Sequence, residues 1–205
     1  MKQSVFIVAF AVVSSVVLSQ NSAPDSLLSN FEDEQTQLLP DRIFITQRLL
    51  WGKKGLLRVT KISPLTVEQR QVELNVRRTM LKLHQAAGFI TLAGMVAQGI
   101  VGAKLYSNPT PELRDAHENL AIFVNAGYAT TALLSFTAPP PLINRRGITP
   151  IKLHKALAMV HLSGMIATNI LGDWVEDNPN YKPYHRAAAY TTFTSFATAV
   201  VVIKF

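Results

Sequence analysis

Two stretches of this chain, seventy residues apart, are variants of one sequence. Residues 83–102, LHQAAGFITLAGMVAQGIVG, align without a gap on residues 153–172, LHKALAMVHLSGMIATNILG. Nine of the twenty positions are identical: Leu83/Leu153, His84/His154, Ala86/Ala156, Leu92/Leu162, Gly94/Gly164, Met95/Met165, Ala97/Ala167, Ile100/Ile170 and Gly102/Gly172. Each copy is mostly apolar and carries no acidic residue, and a helix of about twenty such residues crosses roughly 30 Å of hydrocarbon. The apolar runs that follow, from His117 and from His185, match more weakly at an offset of 68, with His117/His185, Ala121/Ala189, Ala129/Ala197 and Thr130/Thr198 identical. A duplicated helical pair leaves few folds open. The expectation is an all-α membrane protein, a four-transmembrane-helix bundle of two parallel repeated helical hairpins related by an axis along the membrane normal.

The repeat pairs the histidines. The first and third spans start on one membrane face, side A, which sets His84 and His154 at one depth. The second and fourth start on the opposite face, side B, which does the same for His117 and His185. Polar residues inside a bilayer are costly and functional by default, and two imidazoles facing each other inside a helical bundle are how a b-type haem is clamped with six-coordinate iron. Two haems b are therefore expected, with His84 and His154 as axial ligands on side A and His117 and His185 on side B. Small residues one and three turns beyond the histidines, Gly88/Ala158, Gly94/Gly164, Ala121/Ala189 and Gly127/Ser195, suit either a flat macrocycle between helices or close helix packing in lipid. His161 stands seven residues after His154, about 10 Å deeper on nearly the same face. It falls opposite Thr91 in the repeat, so it is the unpaired histidine, a second-choice ligand or a hydrogen-bonding group in the bundle. Arg78, Lys82, Lys155 and Arg186 neighbour the ligands and are candidate partners for haem propionates.

Composition narrows the chemistry. The chain has 205 residues, 48% hydrophobic and 16% charged, and no cysteine. That excludes disulfides, thiolate-ligated or covalently attached haem and cysteine-ligated iron–sulfur clusters. The formal net charge of +7 comes without a basic stripe and interleaved aromatics, so it reads as charge flanking membrane helices and not as a nucleic-acid surface. Acidic residues facing the core, which a divalent-cation path would need, are missing from the spans.

Ahead of the bundle the chain changes character. Residues 1–19 hold Lys2, an apolar run and Val17-Leu18-Ser19, the pattern of a signal peptide. Residues 20–79 contain a polar linker to Asp41, then a basic amphipathic segment, 42–62, with Trp51. That segment fits the headgroup layer or a partner protein. Next comes a helical stalk that starts near Thr66 and Gln69 in capping-box spacing and runs unbroken into the first span. Residues 80–205 form the haem-binding bundle.

The order and spacing of His84, His117, His154 and His185, together with the duplication, resemble the core of the cytochrome b561 family over about residues 80–204. The resemblance implies a four-helix core with two b haems, the first and third core helices ligating one through His84 and His154, the second and fourth the other through His117 and His185. The additional flanking helices and ascorbate-site residues of the eukaryotic members have no match here.

The function expected is that of a membrane dihaem cytochrome and transmembrane oxidoreductase. It would carry single electrons from a donor, quinol or a small reductant, to an acceptor on the other face. Two alternatives stand beside it: a quinone-reactive cytochrome b anchor of a larger redox complex, and a haem-free scaffold or transporter. Membrane lipid is the expected surrounding, a homodimer or a redox-complex partner is left open, and nucleic acid is not a partner. Orientation signals conflict: nine Lys and Arg flank side A and four flank side B, which makes side A cytoplasmic, whereas a cleaved signal peptide makes it external. Following the signal peptide, the protein is expected in a bacterial inner membrane with residues 20–79 outside.

Overall fold

The computed structural model describes residues 38–143 and 147–204. The expected signal peptide, the linker up to Gln37, and Arg145 and Arg146 lie outside the described residues. Every regular element among the described residues is helical: α1 (Ile45–Trp51), α2 (Leu56–Val59), α3 (Val67–Ser107), α4 (Pro111–Thr137), α5 (Pro150–Asp177) and α6 (Lys182–Lys204), with a 3₁₀ turn at Pro179–Tyr181 leading into α6.

The starts of the long helices follow from local chemistry. The Thr66 hydroxyl accepts from the Gln69 amide at 3.2 Å, Thr110 from Leu113 at 3.3 Å and Thr149 from Lys152 at 3.3 Å, each satisfying one of the orphan amides of a first turn. Pro111 and Pro150 follow two of these threonines, where a residue lacking an N–H leaves no amide unpaired. Asn178 caps the turn before α6 in the same way, accepting from the Asn180 amide at 3.0 Å. Nothing interrupts α3 for 41 residues.

Among the described residues three stretches are long and apolar enough to cross a membrane: α3, α4 and Pro179–Ile203, which contains most of α6. The chain is thus an all-helical membrane-spanning protein. The remaining expected span, α5, has 28 residues but carries His154, Lys155, His161 and Asn169 along its apolar run. These polar groups hold it short of the apolarity of the other three.

The chain divides into two compact units, Met1–Met80 with Phe136–Asn144, and Leu81–Ser135 with Arg145–Phe205. In the second unit Met95, Val124, Tyr128, Met165 and Phe196 form one buried cluster, with Leu92, Leu162, Phe193 and Val200 packed on it. All four long helices contribute. Met95/Met165, Leu92/Leu162 and Tyr128/Phe196 are repeat pairs, so the duplication is also the plan of the core. Lipid offers no hydrophobic drive between helices, so close packing must hold them. A Cβ on Gly94 would lie 2.9 Å from Cε1 of Phe123, one on Gly127 2.7 Å from the Thr91 hydroxyl, and one on Gly164 would collide with Thr192. At these three positions the small residue makes room for a neighbouring helix. Of the two uses expected for the small residues, helix packing is the one seen there.

The first unit is built around backbone carbonyls at the end of α4 and in the proline run that follows it. The last turn of α4 leaves its C=O groups without helical partners, and prolines 139–141 contribute no N–H to pair with their surroundings. Thr46 donates to Phe136 O and the Trp51 indole to Thr137 O, both at 2.8 Å, and Phe44 stacks on Phe136 with ring centres 5.9 Å apart. Arg77 donates to Pro139 O at 2.6 Å and Arg70 to Pro140 O at 3.1 Å. Arg70 and Arg58 both pair with Glu73, whose side chain is 1% exposed, and Ser63 donates to the same carboxylate at 2.5 Å. The basic amphipathic segment therefore docks on its own chain through Phe44, Thr46, Trp51 and Arg58. Its apolar residues Ile45, Leu49, Leu56, Val59 and Ile62 remain exposed.

Candidate functional site

The histidines meet in twos. His84 on α3 faces His154 on α5 with ring centres 6.1 Å apart and planes at 83°. His117 on α4 faces His185 on α6 at 6.2 Å and 70°. All four rings are half-buried. Among the described residues no group of three or more His, Cys, Asp or Glu comes together as a metal site.

Backbone carbonyls orient three of the four rings. Nδ1 of His84 donates to Thr131 O at 2.8 Å, Nδ1 of His154 to Ala199 O at 2.9 Å and Nδ1 of His185 to Thr168 O at 2.9 Å. A carbonyl can only accept, so Nδ1 of each of these rings carries a proton, and in the neutral form of the ring Nε2 keeps its lone pair. Fixing one ring nitrogen so that the other can bind a metal is how proteins present histidine ligands. Thr131 and Ala199 are equivalent positions in the repeat, so the side A pair is held by one contact made twice. Gly102 and Gly172, also equivalent, back the side B rings, where a Cβ would come within 3.0 Å of His117 and 3.4 Å of His185.

His117 departs from the pattern. Its Nδ1 is buried without a partner, as is the Gln98 Oε1, and its Nε2 lies 3.3 Å from the Gln98 amide nitrogen. The repeat equivalent of Gln98 is Thr168, whose carbonyl holds His185. Sequence reading did not single out Gln98; its one signal was a polar, non-identical position in an otherwise well-matched repeat.

The two pairs are well separated. Gln98 and Gly102, which meet His117, follow His84 on α3 by 14 and 18 residues, about 21 and 27 Å along the helix. Between them sits His161, buried in the core. The Tyr128 hydroxyl lies 2.6 Å from its Nδ1, and Phe196 packs on the ring at 5.0 Å between centres. Tyr128, like Gln98, was absent from the expected site residues. It stands 33 residues from His161 and looks in sequence like one more aromatic in a span.

Arg78, Lys82 and Lys155 are exposed. Arg186 is exposed too, its guanidinium 4.8 Å from the Tyr106 ring centre and 5.4 Å from that of Tyr190. Asn125 and Asn169 exchange hydrogen bonds at 2.7 and 3.1 Å, joining α4 to α5.

No protein-family model, no curated protein and no solved structure matches the chain.

Proposed function

We propose that this protein is a b-type dihaem membrane cytochrome of the kind its histidine pattern resembles, the cytochrome b561 family, a bundle of two repeated hairpins that carries single electrons between the two faces of the membrane. The observation that carries the reading is the pair of imidazole pairs. Two metal–nitrogen bonds of about 2 Å, with each ring centre about 1 Å beyond its nitrogen, put the centres of two axial imidazoles roughly 6 Å apart. Both pairs have that spacing. In three of the four rings the proton sits on Nδ1, which turns a lone pair to the metal side. Two protein ligands per site suit an ion whose other positions are filled by a macrocycle.

In this reading His84 with His154 would hold one haem and His117 with His185 the other. Haem b bound between two imidazoles supplies reversible one-electron exchange at iron with no open position. The chain supplies the rest. The carbonyls of Thr131, Ala199 and Thr168 fix ring orientation, and between the pairs the cluster of Met95, Val124, Met165 and Phe196 packs around the hydrogen-bonded Tyr128 and His161. Arg78, Lys82, Lys155 and Arg186 are the cations proposed to face acidic groups of the haem, with quinol or a small reductant as donor. The membrane is a bacterial inner membrane, with residues 20–79 outside.

The test is the dithionite-reduced-minus-oxidised spectrum and haem-to-protein ratio of the purified protein, beside His84→Ala and His117→Ala. The expected result is about two b haems per chain and the loss of one in each variant. Folded protein without haem, made under adequate haem supply, would leave a scaffold or transporter. A second reading, the anchor of a larger redox complex, is favoured by the exposed apolar residues of α1 and α2. A stoichiometric partner that co-purifies only while Leu49 and Val59 are intact would establish it.

A further inference from the structure

We infer that α1 and α2 lie on the membrane surface and bind anionic phospholipid, their exposed apolar side chains entering the acyl boundary while Arg48, Lys53, Lys54 and Lys61 meet headgroup phosphates. The inference goes beyond the haem reading and does not depend on it.

Charge is the first observation. Residues 42–62 hold six Arg and Lys and no Asp or Glu, and residues 38–80 as a whole hold nine against three, in a chain whose formal net charge is +7. The unit neutralises little of this excess. Arg58 and Arg70 share the one carboxylate of Glu73, and Arg77 is held by a carbonyl, Pro139 O. Arg48, Lys53, Lys54 and Lys61 are exposed, with Lys53 and Lys54 side by side in the turn between the two short helices.

Apolar surface is the second. Ile45 and Leu49 stand one turn apart on α1, 79% and 71% exposed, and Val59 and Ile62, at and just after the end of α2, are each 70% exposed. Basic helices with such a face lie in the plane of the interface, apolar side chains in the acyl boundary and cations among the phosphates.

Position favours lipid over a partner protein. Thr46 and Trp51 tie α1 to Phe136 O and Thr137 O, in the last turn of a 27-residue helix that is long and apolar enough to cross a membrane. About twenty residues fill the hydrocarbon, so the end of that helix emerges where headgroups begin. Trp51 is thereby placed at the depth tryptophan prefers in membrane proteins. Apolar side chains pinned at that level meet lipid first, and an anionic headgroup layer supplies the counter-charge that the unit itself lacks.

The test uses the absence of native cysteine. Val59→Cys carrying an NBD fluorophore is made in the full-length protein and reconstituted in phosphatidylcholine vesicles containing phosphatidylglycerol. A nitroxide is placed high on the acyl chain of one lipid or the other, at equal fraction. Both nitroxide lipids should quench, the phosphatidylglycerol form about fivefold more per molecule. Lys53→Gln together with Lys54→Gln should bring phosphatidylglycerol quenching down to the phosphatidylcholine level and leave the latter unchanged. Absence of quenching by either lipid overturns the inference, and with a stoichiometric protein still bound it assigns the patch to the redox-complex partner. Equal quenching by the two lipids before the lysines are changed also overturns it, as does a phosphatidylglycerol excess that survives the double variant. None of these outcomes touches the haem reading, which the haem content of the same samples tests separately.

Discussion

Nδ1 of a neutral imidazole and the hydroxyl of a tyrosine make one good hydrogen bond, and in His161 and Tyr128 that bond is buried at 2.6 Å. On the proposed dihaem reading His161→Leu should keep two haems per chain, and it should lower thermal stability, because the Tyr128 hydroxyl loses its partner at a cost of about 1–3 kcal/mol. Adding Tyr128→Phe removes the stranded hydroxyl and should recover much of that loss. A fall to one haem in His161→Leu would move the ligand role from His154 to His161. These residues also mark how far sequence reasoning reached. The histidines were legible because duplication wrote each twice, and His161 stood apart because Thr91 occupies its place in the other copy. Tyr128 and Gln98 were not legible, since their roles depend on partners across a helix interface and neither residue type announces the contact.

At the level of whole helices, the long apolar runs and the Thr66 start of α3 could be read directly, because caps and spans are local in sequence; the Thr-Pro and Asn-Pro starts of the later helices read in sequence as connections. The first unit could not be read directly. Its contacts join positions 62–90 residues apart, as in Arg77 to Pro139 and Thr46 to Phe136, and no periodicity foretells that a proline-rich loop will be held by its carbonyls. Glu73 is the centre of that unit, a lone carboxylate between two buried guanidinium groups. Glu73→Gln should cost about 3–5 kcal/mol, because it leaves Arg58 and Arg70 buried without their counter-charge. The change should show in thermal unfolding and in faster proteolysis near α1 and α2. Wild-type-like unfolding would mean that water already solvates this cluster.

Across the whole molecule, the number of crossings is the property with most consequence, and α5 is the helix on which it turns. The absence of native cysteine makes the test direct. Single cysteines at Asn108, between α3 and α4, and at Asn178, between α5 and α6, should react with a membrane-impermeant maleimide from one side only. A cysteine at Gly147, between α4 and α5, should react only from the other. Labelling of Gly147 and Asn178 from the same side would mean that α5 does not cross. The same experiment, done on cells, decides the orientation on which the signal peptide and the flanking charges disagree.

Each carbonyl that orients a ring lies in that ring's own helical pair, as Thr131 of α4 does for His84 of α3 and Ala199 of α6 for His154 of α5, whereas the imidazole opposite lies in the other pair. Each pair of helices thus carries two histidines and leaves the imidazole facing each of them to the other pair. Cut between α4 and α5, the chain would give two halves, each with both kinds of histidine and neither with a facing pair, so each pairing of imidazoles depends on the two halves meeting.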